Sequence, residues 1–199
     1  MANKIITISR EFGSGGRFIG EEVAKKLGMK YYDKDIISQI AEKLGFSKEY
    51  ISQNAELSPK KGLFAYALTG RDTTGKSVED MVYEAQRKVI LEIAENDSCV
   101  IIGRNADYIL KDRTDVINIF IHADMPEKVK RICRLYNVTE TEAVAMTADI
   151  DKRRMTNYRY YTDQKWGMAR NYTLTLNSSQ LGYDMCEKIG MCTAVDFYM

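Results

Sequence analysis

A glycine-rich segment near the start of the chain has the residue types that bind phosphate. The run from Gly13 to Gly16 follows an apolar stretch and precedes an amphipathic one over residues 18–27. A glycine turn between a strand and a helix directs backbone N–H groups and the helix dipole at one point, which favours an anion. We therefore predict a nucleotide ligand. A flexible connection between two packed elements is the alternative interpretation of the same glycines.

The segment lacks the lysine that carries the positive charge of the usual phosphate loop. The usual loop reads G-x-x-x-x-G-K-[ST], and here Gly16 stands at the lysine, with Arg17 next and Phe18 after it. Arg17 is the nearest substitute for the missing lysine. The pattern therefore indicates binding more strongly than turnover.

A second candidate follows the apolar run of residues 99–102. Arg104 comes directly after this run, in the segment Gly103-Arg104-Asn105-Ala106-Asp107. Residues just past the carboxyl end of a parallel strand lie at the rim where open α/β sheets bind ligands. An arginine there is suited to bidentate binding of an acceptor phosphate. The alternative is a surface turn in which Arg104 pairs with Asp107.

A third candidate is a basic segment that is rich in aromatic residues. Between residues 152 and 170 the only acid is Asp163, against the cations Lys152, Arg153, Arg154, Arg159, Lys165 and Arg170. The same segment carries the aromatic residues Tyr158, Tyr160, Tyr161 and Trp166. Aromatic rings pack against arginine stems or against a base, so the segment predicts an anion site. A solvated helix face is the alternative.

Apolar runs bounded by turn signals place these candidates in an α/β fold. The predicted strands are residues 5–8, 29–32, 99–102, 116–121 and 172–176. Helical segments lie between most of them, and the strands are apolar almost throughout. Such alternation favours a parallel sheet with helices on both faces, in three layers.

Local signals add boundaries to this architecture. Asp124 with Glu127 and Thr139 with Glu142 have the spacing of capping pairs and predict two helix starts. Glycine and proline mark residues 57–76 as the loosest region, which we expect to be mobile.

The composition limits the class of protein. At 199 residues, with 45% hydrophobic and 29% charged residues, the chain fits one soluble domain with a small insertion. It contains neither an apolar run of membrane length nor a signal-peptide pattern, so we expect a cytoplasmic protein without a membrane partner. A net charge of +1 argues against general attraction to nucleic acid. The four cysteines have no C-x-x-C spacing, and we predict neither disulfides nor a protein-bound metal.

Four segments together resemble the cytidylate kinase-like proteins of bacteria, which are similar to the cytidylate kinases of the nucleoside monophosphate kinase group. These segments are residues 8–17, residues 101–107, residues 116–123 and residues 172–178. They occur in the expected order over nearly the whole chain.

The resemblance implies a fold and a set of ligands. The fold is a five-stranded, three-layer P-loop kinase domain over residues 1–199, with the phosphate loop in residues 9–18. An acceptor-binding insertion is expected at about residues 33–78 and an arginine-bearing lid at about residues 147–170. The implied cofactors are ATP and Mg²⁺, and the implied partners are small nucleotides. A homodimer is compatible with the tyrosine and methionine content.

The resemblance also implies roles for individual residues. The donor phosphates would be bound by Gly13, Ser14, Gly15, Gly16, Arg17 and Phe18. The acceptor would be bound by Asp33, Arg104, Asn105 and Asp107. Asp151 and Arg154 match an Asp-x-x-Arg element of the lid whose arginine reaches the transferring phosphate. The catalytic candidates are Arg17, Arg153, Arg154 and Arg159.

Several positions depart from authentic cytidylate kinases. Gly16 replaces the lysine, and Phe18 stands about where a metal-ligating hydroxyl is expected. Asn105 replaces the acceptor-site aspartate, and Thr147 stands roughly where a lid arginine is usual. Because one preorganised donor lost from a charged transition state costs about 3 to 4 kcal/mol, several losses together would silence catalysis. Arg17 and the Ser14 hydroxyl are the candidates for replacing lost groups.

Three functions stay open at this point. The first is a kinase that transfers the terminal phosphate of ATP to a nucleoside monophosphate, CMP or dCMP. The second is a nucleotide-binding regulator that has lost turnover. The third is a kinase of a small non-nucleotide acceptor, since one fold hosts many acceptors.

Overall fold

Five parallel strands form the centre of the protein. The computed structural model describes residues 4–45 and 78–197. Strands β1 to β5 are, in chain order, Ile5–Arg10, Lys30–Tyr32, Cys99–Ile102, Val116–His122 and Leu174–Asn177. They lie in the order β2-β3-β1-β4-β5, and each neighbouring pair is parallel. The predicted α/β fold is confirmed, although β5 begins two residues later than the predicted strand.

Helices connect the strands and cover both faces of the sheet. The longer ones are α1 (Gly16–Leu27), α2 (Lys34–Leu44), α3 (Val78–Asn96), α5 (Met125–Tyr136), α6 (Glu140–Thr162) and α8 (Tyr183–Phe197). Two short ones are α4 (Ala106–Ile109) and α7 (Ser178–Leu181), and a 3-10 turn spans Ala169–Asn171. Over residues 4–45 and 78–197, no helix has the length and apolar character needed to cross a membrane.

Most of the predicted acceptor-binding insertion, residues 46–77, lies outside the described residues. The segment 57–76, which we expected to be mobile, lies entirely within that undescribed part.

Alternation along β1 creates two cores, one on each face of the sheet. Ile5 belongs to the core built with α2 and α3, whereas Ile6 and Ile8 belong to the core on the α1 side. This is the period of two that a strand buried on both faces requires. Ala85 and Val89 point from α3 into the first core. The sheet is therefore held between two helical layers.

The sheet order brings the glycine loop next to the turn that follows β3. β1 pairs with β3 in parallel, with Ile8 opposite Ile102, so the two carboxyl ends meet at one edge. Gly15 precedes α1 at φ 81°, and Gly28 ends that helix at φ 64°, as its sequence predicts. The glycine loop is thus placed at the helix N-terminus.

One of the two predicted capping pairs is present. The Thr139 hydroxyl accepts a hydrogen bond from the Glu142 N–H, and the Glu142 carboxylate accepts one from the Thr139 N–H at 2.8 Å. The second predicted helix start is confirmed, because Asp124 is the N-cap residue of α5, but its side chain forms no capping hydrogen bond. Its carboxylate instead accepts hydrogen bonds from Asn177 and Gln180, because β5 and α7 end beside the start of α5.

Two helix glycines should respond oppositely to the same substitution. A Cβ atom added to Gly20 in α1 would lie 2.6 Å from Ile102 Cδ1, whereas at Gly190 in α8 the nearest atom, Ile119 Cδ1, is at 3.6 Å. Since alanine favours a helix over glycine by about 1 kcal/mol, Gly190→Ala should raise the free energy of unfolding by up to that amount. Gly20→Ala should lower it by about 1 kcal/mol through overpacking. Chemical denaturation of both variants measures the difference, and equal gains would show that α1 does not lie this close to the sheet.

Candidate functional site

The glycine loop is braced from within. Ser14 is fully buried, and its hydroxyl donates a hydrogen bond to the Glu11 carbonyl at 2.9 Å and accepts one from the Gly16 N–H at 3.4 Å. Ser178, at the start of α7, donates to the Ser14 carbonyl at 2.7 Å. Gly13 lies at φ 82°, a conformation that favours glycine. The Ser14 hydroxyl, expected to face a ligand, therefore supports the loop in this conformation.

Three arginines line one small cavity beside the loop. Arg10 and Arg104 are each 4% exposed, and the Arg154 side chain is 11% exposed. The cavity has a volume of about 10 Å³ and is also lined by Ser9 and Trp166. Neighbouring cations in a poorly solvated space repel each other, and an anion relieves that repulsion. The arrangement is therefore suited to a phosphate or a carboxylate.

Arg104 is held on a strained turn. Gly103, Arg104 and Asn105 all adopt positive φ, at 65°, 63° and 53°. Non-glycine residues in this region are uncommon, cost free energy and cluster at functional sites. The Gln86 amide on α3 donates to the Arg104 carbonyl at 2.8 Å and fixes the turn. Arg104, which the sequence predicted to bind the acceptor, thus lies on a fixed turn at the lining of the cavity.

One face of α6 packs against both the glycine loop and the β3 turn. The Asp151 carboxylate accepts a hydrogen bond from the Phe12 N–H at 2.7 Å. One turn later, Arg154 Nη1 donates to the Arg10 carbonyl at 3.0 Å. The Asn105 amide donates to Asn157 Oδ1 at 3.1 Å. The helix that carries the predicted lid arginine therefore lies directly on the loop.

A buried lysine joins three elements at this contact. Lys128 Nζ lies 3.0 Å from Glu11 Oε2 and 3.0 Å from Asp151 Oδ2. Burial raises the pKa of the Asp151 carboxyl above its ordinary value, while Lys128 and the Phe12 N–H act in the opposite direction. Lys128 was not predicted from the sequence, because it resembles any other lysine of a surface helix. No local pattern distinguishes it.

Asp107 lies beneath the cavity in a polar network. It is 3% exposed, and it accepts hydrogen bonds from the Tyr158 hydroxyl at 2.7 Å and from the Ser9 hydroxyl at 3.4 Å. Burial raises the pKa of the Asp107 carboxyl to about 6. Tyr158, on α6, is the buried partner of Asp107. The sequence signal that could have identified Tyr158 was its position among other aromatic residues.

Arg17 and Asp33, assigned to different subsites by the sequence, form an ion pair. Arg17 Nε lies 2.6 Å from Asp33 Oδ2, and Arg17 Nη2 donates to Asp33 Oδ1 at 3.3 Å. Asp33 is buried, whereas the Arg17 side chain is 52% exposed. The pair connects the first turn of α1 to the start of α2.

Three further predicted residues, Phe18, Arg153 and Arg159, do not line the arginine cavity. Phe18 is 43% exposed and contacts the Tyr183 ring at a centroid distance of 5.8 Å. Arg153 lies 3.9 Å from Asp149 one turn earlier on α6, and Arg159 is exposed on the same helix. Their roles stay predictions.

A second, larger cavity lies on the other side of the glycine loop. It has a volume of about 420 Å³, and its lining includes Gly13, Tyr183 and three cations of α5, namely Lys130, Arg131 and Arg134. Arg131 Nη1 donates to the Tyr183 hydroxyl at 2.7 Å. Because β1 lies between β3 and β4, the loop separates this cavity from the arginine cavity. The sequence analysis missed these cations, although their spacing on one helix was visible.

The sheet order and the loop after β1 define the class of protein. They are those of a P-loop kinase fold, and the structural comparisons agree. The profile of the cytidylate kinase-like family matches residues 5–180, so the chain belongs to that family. A cytidylate kinase from Archaeoglobus fulgidus is 26% identical over 178 residues, which cover 87% of this chain and 84% of that protein.

Solved structures share the fold over almost the whole chain. An uncharacterized protein from Eubacterium ventriosum has a TM-score of 0.75 at 24% identity, covering 97% of this chain and 99% of that one. A shikimate kinase from Acinetobacter baumannii has a TM-score of 0.54 at 16% identity, with 98% and 95% covered. A gluconokinase from Sinorhizobium meliloti has a TM-score of 0.57 at 12% identity, with the same coverage. These likenesses confirm the three-layer architecture.

The raised pKa of Asp107 predicts a stability gain when its charge is removed. Its carboxyl titrates at about 6 in the folded protein against 3.8 as the ordinary value, so the folded state binds more protons between these pH values. The favourable contribution of the Asp107 carboxyl to the free energy of unfolding is therefore present below about pH 4, and it is lost as the pH rises through about 6. Asp107→Asn keeps an acceptor for Tyr158 and should raise the free energy of unfolding at pH 8 by up to about 3 kcal/mol.

Urea denaturation at pH 5 and pH 8 measures this effect, with Asp112→Asn as the exposed control. The gain should shrink toward pH 5. An Asp107→Asn protein that is less stable at pH 8 would contradict the assignment of a costly buried charge.

Proposed function

We propose that this protein transfers the terminal phosphate of ATP to a nucleoside monophosphate, with CMP and dCMP as the first candidates. The observation that carries the proposal is the arginine cavity at the carboxyl ends of β1 and β3, beside the glycine loop. Membership of the cytidylate kinase-like family and the similarity to an authentic cytidylate kinase support it.

ATP has a complementary surface on the β4 side of the loop. In the proposal its phosphates lie against Gly13 to Gly16, at the N-terminus of α1, and its base and ribose occupy the 420 Å³ cavity. Mg²⁺ at kinase sites binds through substrate phosphates and one or two carboxylates. Among the described residues no carboxylate cluster could hold the ion, and Asp107 is buried with its oxygens bonded to Tyr158 and Ser9, so these residues do not fit the ion and Mg²⁺ would be held by the phosphates of ATP. Mg²⁺ would neutralise phosphate charge.

The acceptor would enter on the β3 side. There Arg104 would bind its phosphate, and the Arg17–Asp33 pair marks the start of the acceptor-binding insertion. Arg154 lies between this position and the loop, because its guanidinium reaches the Arg10 carbonyl. Phosphoryl transfer depends on positioning and on cations around the transferred group. In the proposal Arg154 supplies that charge, with Arg153 and Arg159 as further lid cations.

A second candidate function follows from the chemistry of the cavity. Arginines bind carboxylates in the same bidentate geometry as phosphates, so the cavity does not select between the two. The solved structure from Acinetobacter baumannii is a shikimate kinase in complex with shikimate. A kinase of a small acidic acceptor is therefore the alternative, and a nucleotide-binding regulator without turnover is the outcome if no acceptor is phosphorylated.

An acceptor panel tests the proposal directly. Purified protein with ATP and Mg²⁺ should form ADP with CMP or dCMP, and less with UMP, AMP or GMP. Shikimate and gluconate belong in the same panel, with samples lacking acceptor and heat-inactivated protein as controls. ADP formation that depends only on shikimate or gluconate would replace the nucleotide assignment. If no acceptor leads to ADP formation but ATP raises the Tm, the protein binds nucleotide without turnover.

Arg104 predicts a specific change in kinetics. Arg104→Lys keeps the positive charge and loses the bidentate geometry, so the KM for the acceptor should rise roughly tenfold or more. The KM for ATP should stay within about threefold. Steady-state kinetics with each substrate varied separately provide both values. Arg87→Lys, an exposed arginine on α3, is the matched control. Equal increases in both KM values would place Arg104 outside the acceptor subsite.

A further inference from the structure

Two positions of the phosphate loop have exchanged residue types in this chain. In the pattern G-x-x-x-x-G-K, the first position is glycine and the seventh is lysine. With Gly15 as the second glycine, the first position is Arg10 and the seventh is Gly16. The cation therefore stands at the end of strand β1 instead of in the first turn of helix α1.

The geometry explains why the two changes occur together. A Cβ atom added to Gly16 would lie 2.6 Å from Arg10 Cβ and 3.1 Å from Arg10 Cγ, and 3.1 Å from Ile121 Cβ on the other side. Non-bonded carbon atoms are at their best separation at about 3.5 to 4.0 Å. The stem of Arg10 thus occupies the space in which any side chain at position 16 would begin. Arginine at position 10 requires glycine at position 16.

We propose that Arg10 takes the role of the missing lysine and binds the phosphates of the donor nucleotide, an inference that rests on the proposed function. Arg10 is 4% exposed and shares the arginine cavity with Arg104 and Arg154. Its carbonyl accepts a hydrogen bond from Arg154 at 3.0 Å, so both residues lie at the same point of the loop. A guanidinium offers phosphate oxygens a planar set of donors.

Arg17 is less suited to this role, although it is adjacent in sequence to the lysine position. Its guanidinium is paired with Asp33 through two nitrogens, at 2.6 Å and 3.3 Å. That pair faces the start of α2, and the Arg17 side chain is 52% exposed. The two residues differ in burial and position, because Arg10 is buried at the carboxyl end of β1, where its stem lies against the first residue of α1.

A reciprocal exchange tests the inference. The proteins compared are the natural chain, Arg10→Met, Gly16→Lys, and the double variant Arg10→Gly/Gly16→Lys. Arg10→Met keeps the stem against Gly16 and removes the guanidinium, so it should bind ATP roughly 10- to 100-fold more weakly. Gly16→Lys alone should also lose affinity, because the lysine collides with Arg10. The double variant restores the usual loop and should recover affinity to within about fivefold of the natural chain.

Isothermal titration with ATP and Mg²⁺ gives the affinities, and thermal unfolding without ligand confirms that each variant is folded. If Arg10→Met binds ATP as tightly as the natural chain does, the proposed role of Arg10 is overturned and the proposed function is left intact. A folded double variant that does not recover would overturn the equivalence of the two positions. If the natural chain itself binds no ATP, the proposed function fails and this inference fails with it.

Discussion

The ion pairs of Lys128 with Glu11 and Asp151 hold the site together. Glu11 belongs to the glycine loop, Lys128 to α5 and Asp151 to α6, so one buried ammonium fixes three elements that are distant in sequence. A buried cation is tolerated only when anions surround it, and removing either partner of such a pair typically costs 3 to 5 kcal/mol. The helix bearing Arg154 therefore has a defined position, and the arginine cavity depends on it.

Neutral groups contribute to the placement of two cations of the cavity, Arg154 and Arg104. Arg154 donates to a backbone carbonyl at 3.0 Å, while the Asp151 carboxylate is at 3.7 Å. The turn bearing Arg104 is held through its own carbonyl by Gln86. Neutral acceptors position a guanidinium without cancelling its charge, whereas a close carboxylate would neutralise it. In the Arg17–Asp33 pair the carboxylate lies at 2.6 Å, closer than Asp151 lies to Arg154.

The sequence predicted the parts of the site that depend on local order. Apolar runs identified β1 and β3, and the position after β3 identified Arg104. Arg10 and Lys128 were not found, because their significance arises from contacts across the fold. Arg10 matters through its contact with Gly16 at the start of the next helix, and Lys128 through α6. Arg17 was expected to replace the lysine because it is adjacent to the lysine position in sequence. In the structure, however, the Arg17 side chain pairs with Asp33, which follows β2. Local sequence patterns predict the secondary structure of a segment. Its contacts with distant segments depend on the order of the strands in the sheet.

The described conformation also limits how a phosphoryl group enters. A cavity of about 10 Å³ has room for about one water molecule, so on the proposed function the arginines would have to separate before an acceptor phosphate could enter. Two contacts of residues that line the cavity, Arg154 with the Arg10 carbonyl and Asn105 with Asn157, include hydrogen bonds of modest net free energy. Phosphate oxygens replace such acceptors with charge-assisted hydrogen bonds, which are stronger. On the proposed function, the closed cavity is a resting state. In this state carbonyl and amide oxygens of the protein accept the hydrogen bonds that the substrate accepts once it is bound.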